Sequence, residues 1–243
     1  SVHERRSLAL ACFALAAGIV AIGIDAFFVE PYRLSVDHVA LPARNLEHAV
    51  RVAVVADIQT DDPGSYERRV LRRALAEEPD LILLVGDYVQ QADAERYEEA
   101  GKRLSRMMEE EELKAPLGVY AVRGNVDWPG RWERIFSGLP VTTIERSRTM
   151  DLGPLTLTAL SLRASADTRL SVPGVDGFHI VVGHVPNFAR GAVKADLLIA
   201  GHTHGGQVQL PPIGPAMTLS DVPRDWASGV TEITPGKTLI VSR

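Results

Sequence analysis

Five short apolar runs of the sequence end in side chains of the types that bind metal ions. These side chains are Asp57 with Gln59, Asp87, Asn125 with Asp127, His184, and the pair His202 and His204. In open α/β sheets the carboxyl ends of the strands meet at the ligand crevice, so side chains placed there come close together. Carboxylate oxygens and neutral imidazoles suit zinc, manganese or iron. The pattern therefore predicts a divalent-metal site built from strand ends.

The strongest of these patterns is Gly201-His202-Thr203-His204, which directly follows an apolar run. A single Gly-Asp or Gly-Asn is more often a turn, and a lone histidine is more often a hydrogen-bonded structural residue. All five patterns in order favour metal binding over those alternatives. The glycines also allow tight turns and close approach of two backbones. Two ions about 3.5–4 Å apart would serve phosphoryl transfer, because they activate a shared water and stabilise the attacking and leaving oxygens.

The elements that would position these side chains alternate along the chain, as strands and helices do in an α/β fold. The predicted strands are 52–56, 81–85, 118–122, 155–160, 180–182, 197–200 and 238–241. The predicted helices are 65–78 and 92–113, with Pro79 and Pro116 as stops. Because several of the strands are free of charge, both faces of the sheets are expected to be covered.

Residues 1–30 are predicted to form a transmembrane anchor. Residues 8–24 carry no charge and would extend roughly 25 Å as a helix. Arg5 and Arg6 precede them, which favours a single-pass inner-membrane protein with its domain outside the cytoplasm. A domain on the cytoplasmic face, a cleaved signal peptide, a twin-arginine export signal and a buried core helix stay open as alternatives. Residues 31–50 are predicted as a connecting segment and residues 51–243 as one globular domain.

Composition excludes several classes of protein. The 243 residues include 26 Lys and Arg against 31 Asp and Glu, which gives a net charge of −5. The chain has no basic stripe of the kind that tracks phosphates, so no nucleic-acid partner is expected. Its single cysteine, Cys12, can form neither an internal disulfide nor a cysteine-based zinc site. The oligomeric state is left open.

In order and spacing, the five patterns resemble those of the calcineurin-like metallophosphoesterases, which are D-x-H, G-D, G-N-H-D/E, a histidine and G-H-x-H. The resemblance covers roughly residues 52–243. The segment 201–211, together with Glu30-Pro31-Tyr32, resembles the membrane-anchored or exported branch of that family. The resemblance implies a four-layer αββα sandwich with two divalent metal ions at the sheet edge. Relatives continue with a further strand, which leaves open whether the natural chain extends beyond Arg243.

The resemblance also implies how the ligands divide between the two metals. One metal would be held by Asp57, Gln59, Asp87 and His204, and the other by Asp87, Asn125, His184 and His202. Gln59 stands where the family usually has histidine, so the first metal is expected to bind more weakly unless Asp61 or Asp62 compensates. Val126 stands where many relatives have a histidine that protonates the leaving group, which counts against substrates with difficult leaving groups.

These observations predict a hydrolase of phosphoester or pyrophosphate bonds that uses Mn²⁺, Zn²⁺ or Fe²⁺. A metal-bridging hydroxide would attack phosphorus in line, Asn125 would hold phosphoryl oxygens, Asp127 would orient the site and Arg123 would neutralise phosphate charge. The anchor favours a lipid-linked or membrane-proximal substrate, such as a UDP-diacylglucosamine-like compound or a phospholipid diester. The alternative is a metal-binding scaffold at the membrane whose catalysis has been weakened by Gln59 and Val126.

Overall fold

The computed structural model describes residues 2–24, 34–43, 46–206, 209–210, 214–215 and 220–242. These residues fall into two compact units, Ser1–Val39 and Ala40–Arg243. The helices are α1 (Val2–Ile24), α2 (Ser65–Ala76), α3 (Ala94–Glu110) and α4 (Leu162–Ser165). The strands are β1 (Val52–Val55), β2 (Leu81–Leu84), β3 (Val119–Val122), β4 (Val141–Ile144), β5 (Arg148–Asp151), β6 (Leu155–Ala159), β7 (Ser171–Val172), β8 (Phe178–Val182), β9 (Ala192–Val193), β10 (Leu197–Ala200), β11 (Gln209–Leu210), β12 (Gly214–Pro215), β13 (Gly229–Thr234) and β14 (Lys237–Val241).

Two sheets form the body of the second unit. The first has the order β1-β2-β3-β4 and is parallel throughout. The second has the order β13-β14-β10-β8-β6-β5, with a parallel centre and the antiparallel strands β13 and β5 at its edges. Because the central strands of each sheet are parallel, the loops that follow them lie at one edge of that sheet.

Alternation of side chains along the strands divides the core into three apolar clusters. In β2, Leu81 and Leu83 join a cluster that combines both sheets, whereas Ile82 and Leu84 join a cluster that includes α2 and α3. A third cluster covers the other face of the second sheet and includes Phe188. Each sheet is therefore covered on both faces, as the uncharged runs predict.

The α/β prediction is confirmed, and the predicted strands match observed ones to within two residues at each end. The fourth layer differs from the helical layer expected of an αββα sandwich. Among the described residues, its helical parts are only the one-turn helix α4 and the 3₁₀ turns Pro186–Arg190 and Arg224–Trp226. Pro186 opens the first of these turns and Gly191 ends it, so the helical backbone between β8 and β9 is limited to five residues.

The strands β4, β5 and β13 were not predicted, and all three lie at sheet edges. In β5 the residues Arg148, Thr149 and Asp151 are exposed, and β13 is mostly exposed as well. An edge strand needs no continuous apolar run, because one side of it faces solvent. The apolar signal that identifies buried strands is therefore missing from their sequences.

The N-terminal apolar stretch is helical from Val2 to Ile24. Large apolar side chains on this helix are exposed, including Phe13 at 74% and Leu10 at 70%. No helix within the described ranges has both the length and the apolar character needed to cross a membrane, so the predicted transmembrane anchor is not supported. Residues 25–30, the remainder of the predicted anchor, lie outside the described residues.

Candidate metal centre

The predicted ligands come together at the carboxyl ends of strands from both sheets. The loops after β1 and β2 run side by side, because the Asp57 amide donates to the Gly86 carbonyl at 3.1 Å and the Gln59 amide donates to the Asp87 carbonyl at 2.7 Å. The second sheet adds His184 after β8 and His202 after β10. The two sheets thus contribute acidic residues and histidines respectively to one cluster.

Two overlapping groups of side chains could each hold an ion. Asp87, His184 and His202 form one group, and Asp57, Asp87 and His204 form the other. Within each group the ligand atoms lie within 4.8 Å of one another. Asp87 is common to both groups, so its carboxylate could be shared by two ions. Each group contains the Asp and His members of one of the two ligand sets that the resemblance implies, and metal binding by these residues stays a prediction.

His184 is completely buried and is oriented by a backbone group. Its Nδ1 lies 2.7 Å from the carbonyl of Val85, so Nδ1 carries the proton that it donates. Its Nε2 lies 3.2 Å from Asp87 Oδ2 and 2.9 Å from Asn125 Oδ1. Although burial opposes the charged imidazole, the hydrogen bond to Asp87 raises the pKa of His184. Nε2 therefore faces two further candidate ligands, the arrangement expected of a ligating histidine held by an outer hydrogen bond.

The two carboxylates differ in their surroundings. Burial raises the pKa of Asp57, whose oxygens accept a hydrogen bond from the His202 amide at 2.9 and 3.2 Å. Asp87 is also buried, but its hydrogen bonds to His184 and to the Val126 amide lower the pKa of Asp87. Asp87 is consequently the carboxylate better prepared to stay charged between two cations.

The backbone at the cluster is strained. Among the described non-glycine residues, seven have positive φ, and five of those are candidate ligands. The five are Asp57 at 53°, Gln59 at 43°, Asp87 at 55°, His202 at 73° and His204 at 47°. Such conformations cost about 1–3 kcal/mol each and persist where the surrounding structure imposes them. Their concentration at this edge agrees with its role as the candidate functional site.

Asp127 is buried but does not join either ligand group. Its Oδ2 accepts hydrogen bonds from the amides of Asp87 at 2.9 Å and Gly124 at 2.8 Å, and its Oδ1 accepts one from the Tyr88 amide at 2.9 Å. Burial raises the pKa of Asp127 to about 6, against the influence of these three donors. Asp127 therefore joins the loop after β2 to the loop after β3 and positions the backbone that carries Asp87.

We expect the Asp127→Asn variant to lose about 10–100-fold in metal affinity and about 1–3 kcal/mol of stability. The new asparagine side chain would place its NH₂ group opposite backbone N–H groups. Two hydrogen-bond donors would then face each other, and at least one of the bonds to Asp127 would be lost. Calorimetric titration with Mn²⁺ and urea unfolding measure the two effects. Asp176→Asn, at an exposed position, is the matched control. Equal Mn²⁺ affinity in the two variants would contradict a positioning role for Asp127.

A family model described as calcineurin-like phosphoesterase matches residues 50–206. The chain belongs to the calcineurin-like phosphoesterase family. The matched range includes both candidate ligand groups, and the chain is accordingly a metallophosphoesterase. Members of the family generally bind two divalent metals, which agrees with the two overlapping groups that share Asp87.

Relatives with known sequences carry the same family designation. YkuE of Bacillus subtilis (strain 168), named as an uncharacterized metallophosphoesterase, is 26% identical over 84% of this chain and 78% of its own. A protein of Aquifex aeolicus (strain VF5) with the same designation is 25% identical over 88% of this chain and 85% of its own. The solved phosphoesterase Yfce from E. coli is 18% identical, with coverages of 79% and 78% and a TM-score of 0.37.

The remaining site residues of the calcineurin-like pattern lie in different settings. Asn125 is exposed, and its Oδ1 contacts His184. Gln59 is half-buried beside the Asp57 group. Arg123, a predicted partner of the phosphate charge, lies 3.3 Å from Glu145 through Nη1. Asp62, one of the two residues that could compensate for Gln59, is exposed and forms an ion pair with Arg103.

One group that shapes this phosphoesterase site, the hydroxyl of Tyr88, was not identified from the sequence. The Tyr88 hydroxyl lies 2.9 Å from the Leu84 carbonyl and 2.8 Å from the Val122 carbonyl, and it accepts a hydrogen bond from the Gly86 amide at 3.3 Å. Tyr88 thereby links the ends of β2 and β3 beneath the ligands. The sequence signal that could have identified it is a tyrosine directly after Gly-Asp, because a buried hydroxyl there needs hydrogen-bond partners from neighbouring strands.

The large cavity described in the structure, about 640 Å³, lies away from this centre. Its lining includes Asp80, Leu155 and Phe178, which stand at the amino ends of β2, β6 and β8. The candidate ligands stand at the opposite, carboxyl ends of their strands. Volume alone therefore does not locate the functional site of this phosphoesterase.

Proposed function

We propose that the chain hydrolyses phosphoester or pyrophosphate bonds with two divalent ions held by the overlapping ligand groups. The observation that carries the proposal is the position of Asp87, which belongs to both groups within a 4.8 Å cluster. The donor set of carboxylate, amide and imidazole suits Mn²⁺, Zn²⁺ or Fe²⁺. When bound, such ions supply Lewis acidity and lower the pKa of water.

The chain's own residues would then bind and orient the phosphate. The exposed amide of Asn125 can donate to a phosphoryl oxygen while its Oδ1 faces His184. Val126 has no proton to give, so departure of the leaving group is unassisted at that position. This favours leaving groups that need little protonation, such as a nucleotide phosphate or an activated alcohol.

The test is hydrolysis of bis(4-nitrophenyl) phosphate by the full chain with added Mn²⁺. We expect turnover that EDTA abolishes and that clearly exceeds the rate of an Asp87→Ala, His202→Ala double variant. Turnover no higher than that of the double variant, together with retained Mn²⁺ binding, would instead support the alternative of a metal-binding scaffold without catalysis. Absence of both turnover and Mn²⁺ binding would contradict the metal-site proposal itself.

Gln59 makes the two metal positions unequal. A neutral amide oxygen is a weaker ligand than imidazole, so the position formed by Asp57, Asp87 and His204 should bind metal less tightly. We expect Gln59→His to raise the affinity of the weaker Mn²⁺ site by about tenfold. Calorimetric titration measures this, with Gln90→His on the neighbouring exposed loop as control. If the Mn²⁺ affinity of the weaker site does not change, Gln59 already contributes as much to metal binding as histidine would.

A membrane-proximal or lipid-linked substrate is the narrower form of the proposal, with the domain outside the cytoplasm. Its support is the uncharged run that follows Arg5 and Arg6, together with exposed apolar side chains such as Phe13. Co-sedimentation of the full chain with phosphatidylcholine vesicles tests the association. Protein that stays in the supernatant at every lipid concentration would contradict it.

A further inference from the structure

Four arginines stand at the same sheet edge as the candidate metal centre. Arg123 follows β3, Arg146 and Arg148 stand at the start of β5, and Arg163 lies in α4 directly after β6. We call this set the arginine flank. None of its members belongs to a candidate ligand group.

Strand pairing locates the arginine flank beside the metal ligands. Arg148 pairs with Ala159 of β6, and Ala159 pairs with Val182 of β8, two residues before His184. Because neighbouring strands lie about 4.8 Å apart, Arg148 is roughly 10 Å from the end of β8 in the plane of the sheet.

The direction of Arg148 follows from its pairing partner. Residues directly opposite in an antiparallel pair share one face of the sheet. Ala159 packs in the apolar cluster that combines the two sheets. Arg148 therefore stands on the face of the second sheet that turns towards the first sheet, where Arg123 and Asn125 follow β3.

Hydrogen bonds fasten the segments that carry these arginines. The Ser147 hydroxyl accepts a hydrogen bond from the Ser161 amide at 2.9 Å. The Ser161 hydroxyl in turn caps α4 through the Ala164 amide at 3.3 Å. Ser147, which lies between Arg146 and Arg148, is therefore bonded to the residue that caps the helix carrying Arg163.

The charge of the arginine flank is largely uncompensated. Glu145 is 3.3 Å from Arg123, and its other oxygen accepts from the Trp132 indole at 2.9 Å. Arg146, Arg148 and Arg163 are exposed and form no ion pair with the described residues. By contrast, Arg68 of α2 pairs with Glu110 and Glu111. A local positive excess on a chain of net charge −5 requires an explanation.

We propose that the arginine flank binds a second phosphate of the substrate, beyond the phosphate that is cleaved. Guanidinium groups bind phosphate through paired, charge-assisted hydrogen bonds, and unpaired arginines at fixed positions provide them. This inference rests on the proposed function for the identity of the cleaved group. It narrows the substrate class to phosphoesters that carry a further phosphate, whether in a soluble molecule or in a phospholipid headgroup.

Two matched esters test the proposal with the full, Mn²⁺-loaded chain. One is the 4-nitrophenyl ester of thymidine 5′-phosphate, and the other is the same compound with an added 3′-phosphate. We expect kcat/KM to be about tenfold higher for the second ester, because one charge-assisted contact is worth about that factor. The Arg146→Gln, Arg148→Gln, Arg163→Gln triple variant should lose this preference. Arg106→Gln, an exposed arginine of α3, should keep it. A preference that is absent in the wild type, or unchanged in the triple variant, overturns the proposal.

A binding measurement separates failure of this proposal from failure of the proposed function. Inorganic pyrophosphate is titrated into the metal-free chain in EDTA, where no hydrolysis is measured. About tenfold weaker binding by the triple variant supports the arginine flank even if neither ester is hydrolysed. Hydrolysis of both esters with equal pyrophosphate binding overturns the arginine flank and leaves the hydrolase proposal standing.

Vesicles distinguish the two sources of phosphate. Phosphatidylcholine vesicles with and without phosphatidic acid are compared for binding of the wild type and the triple variant. Phosphatidic-acid-dependent binding that the triple variant loses assigns the second phosphate to a lipid. A loss of ester preference without any vesicle effect assigns it to a soluble substrate. No difference between the two proteins in any of the three measurements overturns the proposal.

Discussion

We expect the Asp87→Asn variant to lose metal at both positions and to fall by at least about a thousandfold in kcat/KM, a loss of roughly 4 kcal/mol in transition-state stabilisation. The physical reason is the place of Asp87 in both ligand groups. Asparagine keeps the size of the side chain but removes the negative charge that two cations would share. Metal content after dialysis and hydrolysis of bis(4-nitrophenyl) phosphate measure the two losses.

The matched control is Asp57→Asn, because Asp57 belongs to only one of the two groups. That variant should lose metal mainly at the position it shares with His204 and should retain the ion held by His184 and His202. Equal metal contents in the Asp57 and Asp87 variants would show that Asp87 does not bridge. The comparison therefore tests the shared ligand and not merely the presence of a metal.

The second large effect is expected at Gly124, which carries no functional group. A Cβ atom at this position would overlap Asp87, at both its amide nitrogen and its Oδ1. Asp87 is enclosed by Asp127, His184 and the Val126 amide, so it cannot withdraw without losing those contacts. We expect Gly124→Ala to lower kcat/KM by about a hundredfold or more, with about 1–3 kcal/mol of overpacking strain.

Gly174→Ala is a suitable control for Gly124→Ala. Neither glycine has a positive φ, and the new methyl group at 174 would make ordinary contacts of 3.5 Å or more with Lys194. Hydrolysis assays and urea unfolding compare the two variants. If the Gly124 variant kept full activity, the close contact between the loops after β2 and β3 would not exist in solution.

The sequence was sufficient to predict which side chains gather at the site. Asp57, Asp87, His184, His202 and His204 each follow an apolar run, and parallel strands bring such ends to one edge. The expectation that glycines permit close backbone approach is also confirmed. At Gly86, a Cβ atom would lie 2.6 Å from both the Gly124 amide nitrogen and His184 Nδ1.

The sequence could not predict which partner each polar side chain of the site contacts. Asp127 is predicted to orient the site, but the sequence does not show that its carboxylate accepts from three backbone amides. Nor does the sequence show that Arg123 lies beside Glu145 across the paired strands β3 and β4. The partner in each case comes from a loop or an edge strand, and the apolar residues of β4 are separated by Thr142 and Thr143, so β4 has no continuous apolar run to recognise. Tertiary placement, not local pattern, decides those contacts.

The strained backbone of the ligand loops has a consequence for the evolution of this protein. At Gln59, where φ is 43°, glycine would adopt the backbone conformation with less strain, and selection for stability should favour that substitution if the side chain is dispensable. Substitution of Asp57 or His202 by glycine would likewise relieve backbone strain and stabilise the fold, but it would remove a candidate metal ligand. At Asp57 and His202, selection for thermal stability therefore favours glycine, whereas selection for turnover favours the metal-binding side chain. Laboratory evolution for heat resistance alone should accumulate glycines first in these loops. The selected variants should be more stable to heat than the wild type but inactive.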